Sequence, residues 1–167
     1  MDDQLKRSPS SIGRITTFFF LRFLAASIPL YLLYTVAGTH YMRLVAYVSK
    51  PLFALFDLDL SMQRALTVTE EISLNPIVFI SLVIATTGTR AVRKIRAGFL
   101  GLVILTLANS ITLFMIFLSA SRESERLWSS TEFFNLTINF FLPILLWIVF
   151  LPIVSLASSL RGSPGGD

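Results

Sequence analysis

The sequence predicts an all-α membrane protein with four transmembrane helices, an outer interfacial helix and a short extracytoplasmic β element. The first observation behind this prediction is that residues 97–121 form a run of 25 residues without a charge. The second is that only 14% of residues are charged and that the mean hydropathy is +0.73. A helix needs about 20 apolar residues to cross a bilayer core, so the uncharged run is long enough to span.

The composition also excludes several classes of function. The chain has no cysteine, which excludes disulfides, thiolate metal sites and a cysteine nucleophile. His40 is its only histidine, so a multi-histidine metal site is excluded, and we expect no metal and no cofactor. The net charge of +4 does not indicate nucleic-acid binding, because the basic residues flank apolar segments as they do in membrane proteins.

The N-terminal third is predicted to hold a tail, a span and an interfacial helix. Residues 1–13 are polar and read as a disordered cytoplasmic tail that precedes a first span at about residues 15–36. In residues 38–56 apolar side chains recur at helical spacing, interrupted by His40, Arg43 and Lys50, which is typical of a helix lying on the outer leaflet. Pro51 is expected to break or kink that helix.

The centre of the chain is predicted to hold a short β element and the second span. Leu66, Thr67, Val68 and Thr69 alternate apolar and β-branched polar side chains, which favours a strand or hairpin. The second span, at about residues 74–89, is the shortest. By length alone it could be a re-entrant segment, whereas the parity of the charged segments favours a short or tilted span. Its start is predicted at Asn75 as N-cap with Pro76 at the first helical position.

The remaining spans are predicted at about residues 97–118 and 133–158, separated by a charged loop at residues 121–132. Prolines within the last span are expected to kink it. We interpret residues 14–160 as a single membrane domain and residues 161–167 as a flexible tail.

The distribution of charge predicts the topology. With the N-terminus inside, the inner segments hold nine basic residues and three acids, and the outer segments five basic residues and seven acids. Basic residues are enriched in cytoplasmic loops, so both termini are expected in the cytoplasm. The predicted location is the cytoplasmic (inner) membrane of a bacterium, where the partners are the lipid bilayer and other integral membrane proteins.

Four polar side chains within the spans are candidates for a pocket. Asn109 and Thr112 lie in the middle of the third span, and Asn135 and Asn139 lie on one face near the outer end of the fourth. Amides in lipid need partners, so these residues form either a polar pocket near the outer leaflet or hydrogen bonds between helices. The aromatic residues around the fourth span indicate a lipid-facing surface or, alternatively, a groove for a pigment or quinone.

The acidic residues Glu70, Glu71 and Glu132 are candidates for a cluster at the outer surface. Paired carboxylates there would catalyse acid–base chemistry or bind a cation, whereas the alternative is that they are solvated loop charges.

The order of features over roughly residues 46–150 resembles the exosortase/archaeosortase families, bacterial and archaeal membrane transpeptidases. The similarity lies in residues 66–74 (LTVTEEISL), in the basic turn at residues 90–96, in residues 109–112 (NSIT) and in residues 128–133 (WSSTEF). Residues 20–23, 74–77 and 82–85 are also similar to small membrane proteins associated with exosortase systems.

The catalytic residues of these families are missing. Where the families have their cysteine, this chain has residues 71–73 (EIS), and where they have the arginine of an Asn-x-x-Arg pattern it has Thr112. No histidine lies in residues 121–140. The resemblance therefore implies a non-catalytic subunit that scaffolds or stabilises a membrane complex. The alternative is a peptidase- or transpeptidase-like enzyme that uses atypical residues such as Glu70, Glu71, Glu132 or Ser73.

Overall fold

The computed structural model describes residues 9–72 and 74–151, and in these residues the fold is entirely helical. Six α-helices follow one another, with a π-helical turn at Thr137–Phe141 between the last two. Their bounds are α1 Pro9–Leu55, α2 Met62–Ile72, α3 Asn75–Ala85, α4 Ala91–Arg122, α5 Glu125–Leu136 and α6 Leu142–Phe150.

Helix α1 is one continuous element of 47 residues, so the prediction of a separate interfacial helix was wrong. At 1.5 Å per residue its length is about 70 Å, more than twice a bilayer core. Pro29 and Pro51 lie inside it, each removing one backbone hydrogen bond without ending the helix. The helix begins at Pro9, within the predicted tail, and its second half packs against α4 rather than lying apart on a membrane surface.

Helix α2 occupies the region predicted as a β element, and that prediction was also wrong. The alternation of residues 66–69 is too short to outweigh the helical spacing around it, which places Ala65, Val68 and Thr69 on one face. Ala65 and Thr69 are buried, and the Thr69 hydroxyl donates to the Ala65 carbonyl at 2.6 Å. A polar, half-exposed helix therefore covers the second half of α1 and the end of α4.

Helix α3 is too short to be a span. Its 11 residues extend about 16 Å, roughly half of a bilayer core. It runs antiparallel to the first half of α4, with Asn75 beside Asn109 and Ile80 beside Gly98. By length and apolarity three helical runs can cross a membrane, namely Thr16–Leu55, Ala91–Arg122 and Glu125–Phe150.

The last helical run begins eight residues earlier than the span predicted at residue 133. The Ser124 side chain accepts a hydrogen bond from the Leu127 N–H and so starts α5 at Glu125. The predicted loop is reduced to the turn between α4 and α5, where Glu123 has a left-handed backbone with φ of 47°. The predicted end at residue 158 and the C-terminal tail lie outside the described residues.

Two apolar clusters fix the arrangement of these helices. The first joins the end of α1 to α2 and the second half of α4, and it includes Phe53, Ala65 and Phe114. The second joins α3 to α4 and α6 through Phe79, Leu105 and Leu146. Helices α1 and α4 run in the same direction, because Tyr41 lies beside Asn109 and Phe53 lies beside Phe114.

The end of α1 carries a strained residue at which a stabilising substitution is predicted. The N–H groups of Phe56 and Leu58 both donate to the Phe53 carbonyl, and Asp57 between them has a φ of 50°. Glycine adopts this conformation without steric cost. We expect Asp57→Gly to raise the free energy of unfolding by about 0.5–1 kcal/mol, measured by thermal unfolding in detergent micelles.

Asp59→Gly is the matched control, since Asp59 is also exposed but does not have a positive φ. It should leave stability unchanged or lower it, because glycine there only adds freedom to the unfolded chain. Equal effects of the two substitutions would contradict the prediction.

Candidate functional site

A pair of buried asparagines joins α3 to α4. The Asn75 Nδ2 donates to the Asn109 Oδ1 at 2.9 Å, and the Asn109 Nδ2 donates back to the Asn75 Oδ1 at 3.0 Å. Both residues are buried, with exposures of 1% and 0%. Each amide therefore satisfies one donor and one acceptor of the other.

Two further groups complete this amide cluster, which we define as Asn75, Asn109, the Tyr41 hydroxyl and the Ile138 carbonyl. The second N–H of Asn109 donates to the Tyr41 Oη at 3.0 Å, which ties α1 to the pair. The second N–H of Asn75 points to the Ile138 carbonyl oxygen at 3.4 Å, which ties the last helical run to it. The cluster thus connects four segments of the chain.

The Ile138 carbonyl is available because of the π-helical turn around it. In that turn the Leu142 N–H donates to the Thr137 carbonyl, five residues back. The matching donor for Ile138 would be residue 143, which is proline and has no N–H. The π-helical turn and Pro143 together leave a backbone acceptor free, and the Asn75 side chain uses it.

The amide cluster lies at the middle of the uncharged run of α4. Asn109 is the central residue of residues 97–121. At the level of Asn109, α2 ends and α3 begins, and the π-helical turn separates α5 from α6. A backbone interruption among apolar helices needs a protein group to satisfy its polar atoms, and the Asn75 amide does this for the Ile138 carbonyl.

Chemically, this arrangement holds helices together rather than offering free groups. The four amide N–H groups and both amide oxygens already have partners within the cluster. A ligand at this point would first have to displace hydrogen bonds between helices. The nearby hydroxyls are also engaged, since the Ser110 Oγ donates to the Val45 or Thr106 carbonyl and the Thr112 Oγ1 to the Ala108 carbonyl.

The structure separates the four predicted pocket residues. Asn109 belongs to the amide cluster, whereas the hydroxyl of the buried Thr112 donates to the Ala108 carbonyl of its own helix. Asn135 and Asn139 bond to each other at 2.7 Å, four residues apart on the same helical run. The Asn139 Oδ1 has no hydrogen-bond partner among the described residues. The backbone between these two residues reaches the cluster through Ile138, but their side chains do not.

The predicted acidic residues lie on two different helices. Glu132 is exposed on α5 and accepts a hydrogen bond from the Trp128 Nε1 at 2.9 Å, beside an open cleft that Glu123 and Glu125 also line. Glu70 and Glu71 belong to α2, and Ser73 lies outside the described residues. Among the residues that the structure describes, no three acidic or histidine side chains are grouped so that they could hold a metal ion.

Sequence reasoning missed three members of the cluster, namely Asn75, Tyr41 and the Ile138 carbonyl. Asn75 was predicted as an N-cap, but Leu74 holds that position without a side-chain hydrogen bond and the Asn75 side chain points to Asn109 instead. Tyr41 lies in residues 38–56, the segment predicted as an interfacial helix, but its hydroxyl accepts a hydrogen bond from Asn109. The available signal was Asn109 itself, because an amide that is buried among apolar side chains requires polar partners.

A second set of contacts closes the opposite end of α3. The Trp147 Nε1 donates to the Thr86 Oγ1 at 2.7 Å, and the Phe19 ring lies 5.6 Å from the Trp147 ring. The Lys94 ammonium donates to the Ile84 carbonyl at 3.1 Å and satisfies an acceptor at the end of the helix. These contacts bring the start of α1 to the basic turn between α3 and α4.

The fold and the site define a helical protein with three long apolar helices, consistent with an integral membrane protein whose centre is a buried amide cluster. Comparison of the chain with protein-family models, with curated proteins and with solved structures found no significant match.

Proposed function

We propose that this protein is a non-catalytic integral membrane subunit that scaffolds or stabilises a complex of membrane proteins. The observation that carries the proposal is the unburied surface of α1. In the most apolar stretch of this helix only 6% of residues are buried, against 44% in α4. The exposed side chains there include Phe20, Ile28 and Leu32, at 57%, 63% and 60%.

The length of α1 supports a protein partner in addition to lipid. A helix of about 70 Å cannot be matched to a core of about 30 Å by ordinary tilt, so part of it must extend beyond the hydrocarbon. Large apolar surfaces outside hydrocarbon mark protein interfaces. The internally bonded amide cluster agrees with a structural role, since its groups already serve helix packing.

The finer parts of this proposal come from the sequence. They are the exosortase-like architecture, an assembly of four membrane crossings in which α2 and α3 together form the second, and an inner-membrane location with both termini in the cytoplasm. In such an arrangement α2 and α3 flank successive halves of α4 and meet at the amide cluster.

Photo-cross-linking in intact membranes tests the proposal. We expect benzoylphenylalanine in place of Ile28 or Leu32 to give adducts with a second membrane protein upon irradiation, because these side chains are exposed on α1. The same group at Leu107 or Ile111, which are exposed on the well-packed α4, is the control and should give fewer protein adducts.

Native mass measurement after gentle extraction provides the second readout. If the protein is a subunit, the measured mass of the extracted complex should exceed that of the 18.7 kDa chain, because partners remain bound. A lone monodisperse monomer, together with equal adduct yields from α1 and α4 positions, would remove the basis of the proposal.

A further inference from the structure

The second half of α1 carries a stripe of polar and charged residues on the face opposite the core. His40, Arg43, Tyr47 and Lys50 follow one another at steps of three or four residues, so they share one face of the helix. All four are exposed, and the Lys50 ammonium lies 4.4 Å from the centre of the Tyr47 ring. We call these four residues the basic stripe.

The opposite face of the same segment fixes its depth against α4. The Tyr41 hydroxyl accepts a hydrogen bond from Asn109 at 3.0 Å, and the Val45 carbonyl accepts one from Ser110 at 3.1 Å. Further along, the Phe53 ring lies 5.2 Å from the Phe117 ring. The basic stripe therefore runs beside the second half of the uncharged run of α4 and begins at its centre.

A cation at this depth needs compensation. Charged side chains inside a bilayer cost about 2.5–3.5 kcal/mol each on insertion scales, and they nearly always pair or face a polar cavity. Among the residues that the structure describes, neither an ion pair nor a hydrogen bond engages the side chain of His40 or Arg43. The stripe faces away from the bundle, so its compensation has to come from outside.

Resting on the proposed function, we propose that the basic stripe is the docking surface for a transmembrane segment of a partner protein that carries a carboxylate in its apolar stretch. The positive charge of Arg43 favours a partner segment with a carboxylate. An Asp or Glu side chain in hydrocarbon is stabilised by a nearby cation, just as Arg43 is stabilised by a nearby anion. Tyr47 adds an aromatic surface against which the partner helix packs.

A lipid headgroup is the less suitable occupant because of distance. Asn109, at the level of Tyr41, is 12 residues from either end of the uncharged run, which corresponds to about 18 Å. Arg43 lies only two residues beyond Tyr41, so headgroup phosphates are beyond the reach of its side chain. Lys50, two turns further along, is the member of the stripe that a phosphate can approach.

The test places benzoylphenylalanine at Leu44, which is 50% exposed and adjacent to Arg43, and irradiates intact membranes. The cross-linked peptide is then sequenced by mass spectrometry. We expect it to come from an apolar segment of another protein that contains Asp or Glu.

Charge substitutions make the test specific. Arg43→Gln with Lys50→Gln should lower the adduct yield at Leu44 at least tenfold, whereas Arg43→Lys should largely retain it. Arg122→Gln with Arg126→Gln is the matched control, since it removes two exposed cations beside Glu123 and Glu125 where α4 ends and α5 begins. This control should leave the yield unchanged, and a melting curve for each variant verifies folding.

Several outcomes would overturn the inference. The first is that Leu44 forms adducts only with phospholipid, only with a second copy of this chain or only with residues 152–167. The second is that the cross-linked partner peptide contains no carboxylate. The third is that both double variants lower the adduct yield equally, and the fourth is that no adduct forms. If Ile28 or Leu32 cross-links to a protein while Leu44 does not, the proposed function stands and this inference alone fails.

Discussion

Replacing Gly101 with alanine will lower the free energy of unfolding of the helix bundle by about 2 kcal/mol. A Cβ atom at residue 101 would overlap the Cε1 and Cζ atoms of the Phe79 ring. Phe79 has no exposed surface and lies in the cluster of α3, α4 and α6, so its ring has no space into which to move. The overlap outweighs the gain of up to about 1 kcal/mol that alanine brings to a helix interior.

Gly98→Ala is a matched control on the same helix, three residues earlier. A Cβ there would lie 3.5 Å from the Ile80 Cδ1, which is an ordinary contact. We expect this variant to be as stable as the parent or more stable by up to about 1 kcal/mol. Thermal unfolding in detergent micelles measures both, and an equal response of the two glycines would show that α3 does not pack against α4 as described.

Replacing Asn109 with alanine will lower the free energy of unfolding by about 2–4 kcal/mol. The substitution leaves the Asn75 amide buried with the Ile138 carbonyl as its remaining partner and also removes a hydrogen bond to Tyr41. It opens a small cavity as well, since Asn109 is fully buried. Unfolding titrated with a denaturing detergent provides the measurement.

A double-mutant cycle separates the pair from its surroundings. Asn75→Ala and Asn109→Ala should together cost less than the sum of the single changes, by about 1–2 kcal/mol, because either one already breaks the reciprocal bonds. Asn135→Ala is the control, since the hydrogen bond it removes joins residues of one helical run, and it should cost under about 1 kcal/mol. Strict additivity of Asn75→Ala and Asn109→Ala would exclude the reciprocal pair.

The contrast between these residues shows which parts of the fold could be predicted from sequence. The long apolar helix α4 was predictable, because a run of this length without a charge, with charged residues at both ends, is typical of a membrane-spanning helix. The α-helical structure of residues 66–69 was not predictable, because a pattern of four residues fits both the two-residue period of a strand and the 3.6-residue period of a helix. The burial of Ala65 and Thr69 distinguishes the two. The start of α5 was missed because its first turns are polar and Thr131 is the only residue of this helix that is buried.

The candidate site shows the same division. Asn109 was identifiable as a buried polar residue in need of a partner, and hydrogen bonding between helices was one of the two interpretations that the sequence left open. Its partners could not be identified, because Asn75 and Tyr41 lie 34 and 68 residues away and local sequence patterns do not indicate such contacts.

The sequence by itself determined the apolar class of this protein, the position of its longest uncharged helix and the need to satisfy a buried amide, because transfer free energy and helix length depend only on composition and local order. Only the tertiary structure decided that α1 continues through two prolines, that Asn75 pairs with Asn109, and that Arg43 lies at the level of the middle of α4. Each of these features depends on contacts between distant segments. Such contacts can stabilise a helix that continues through a proline, although the local sequence favours a break there.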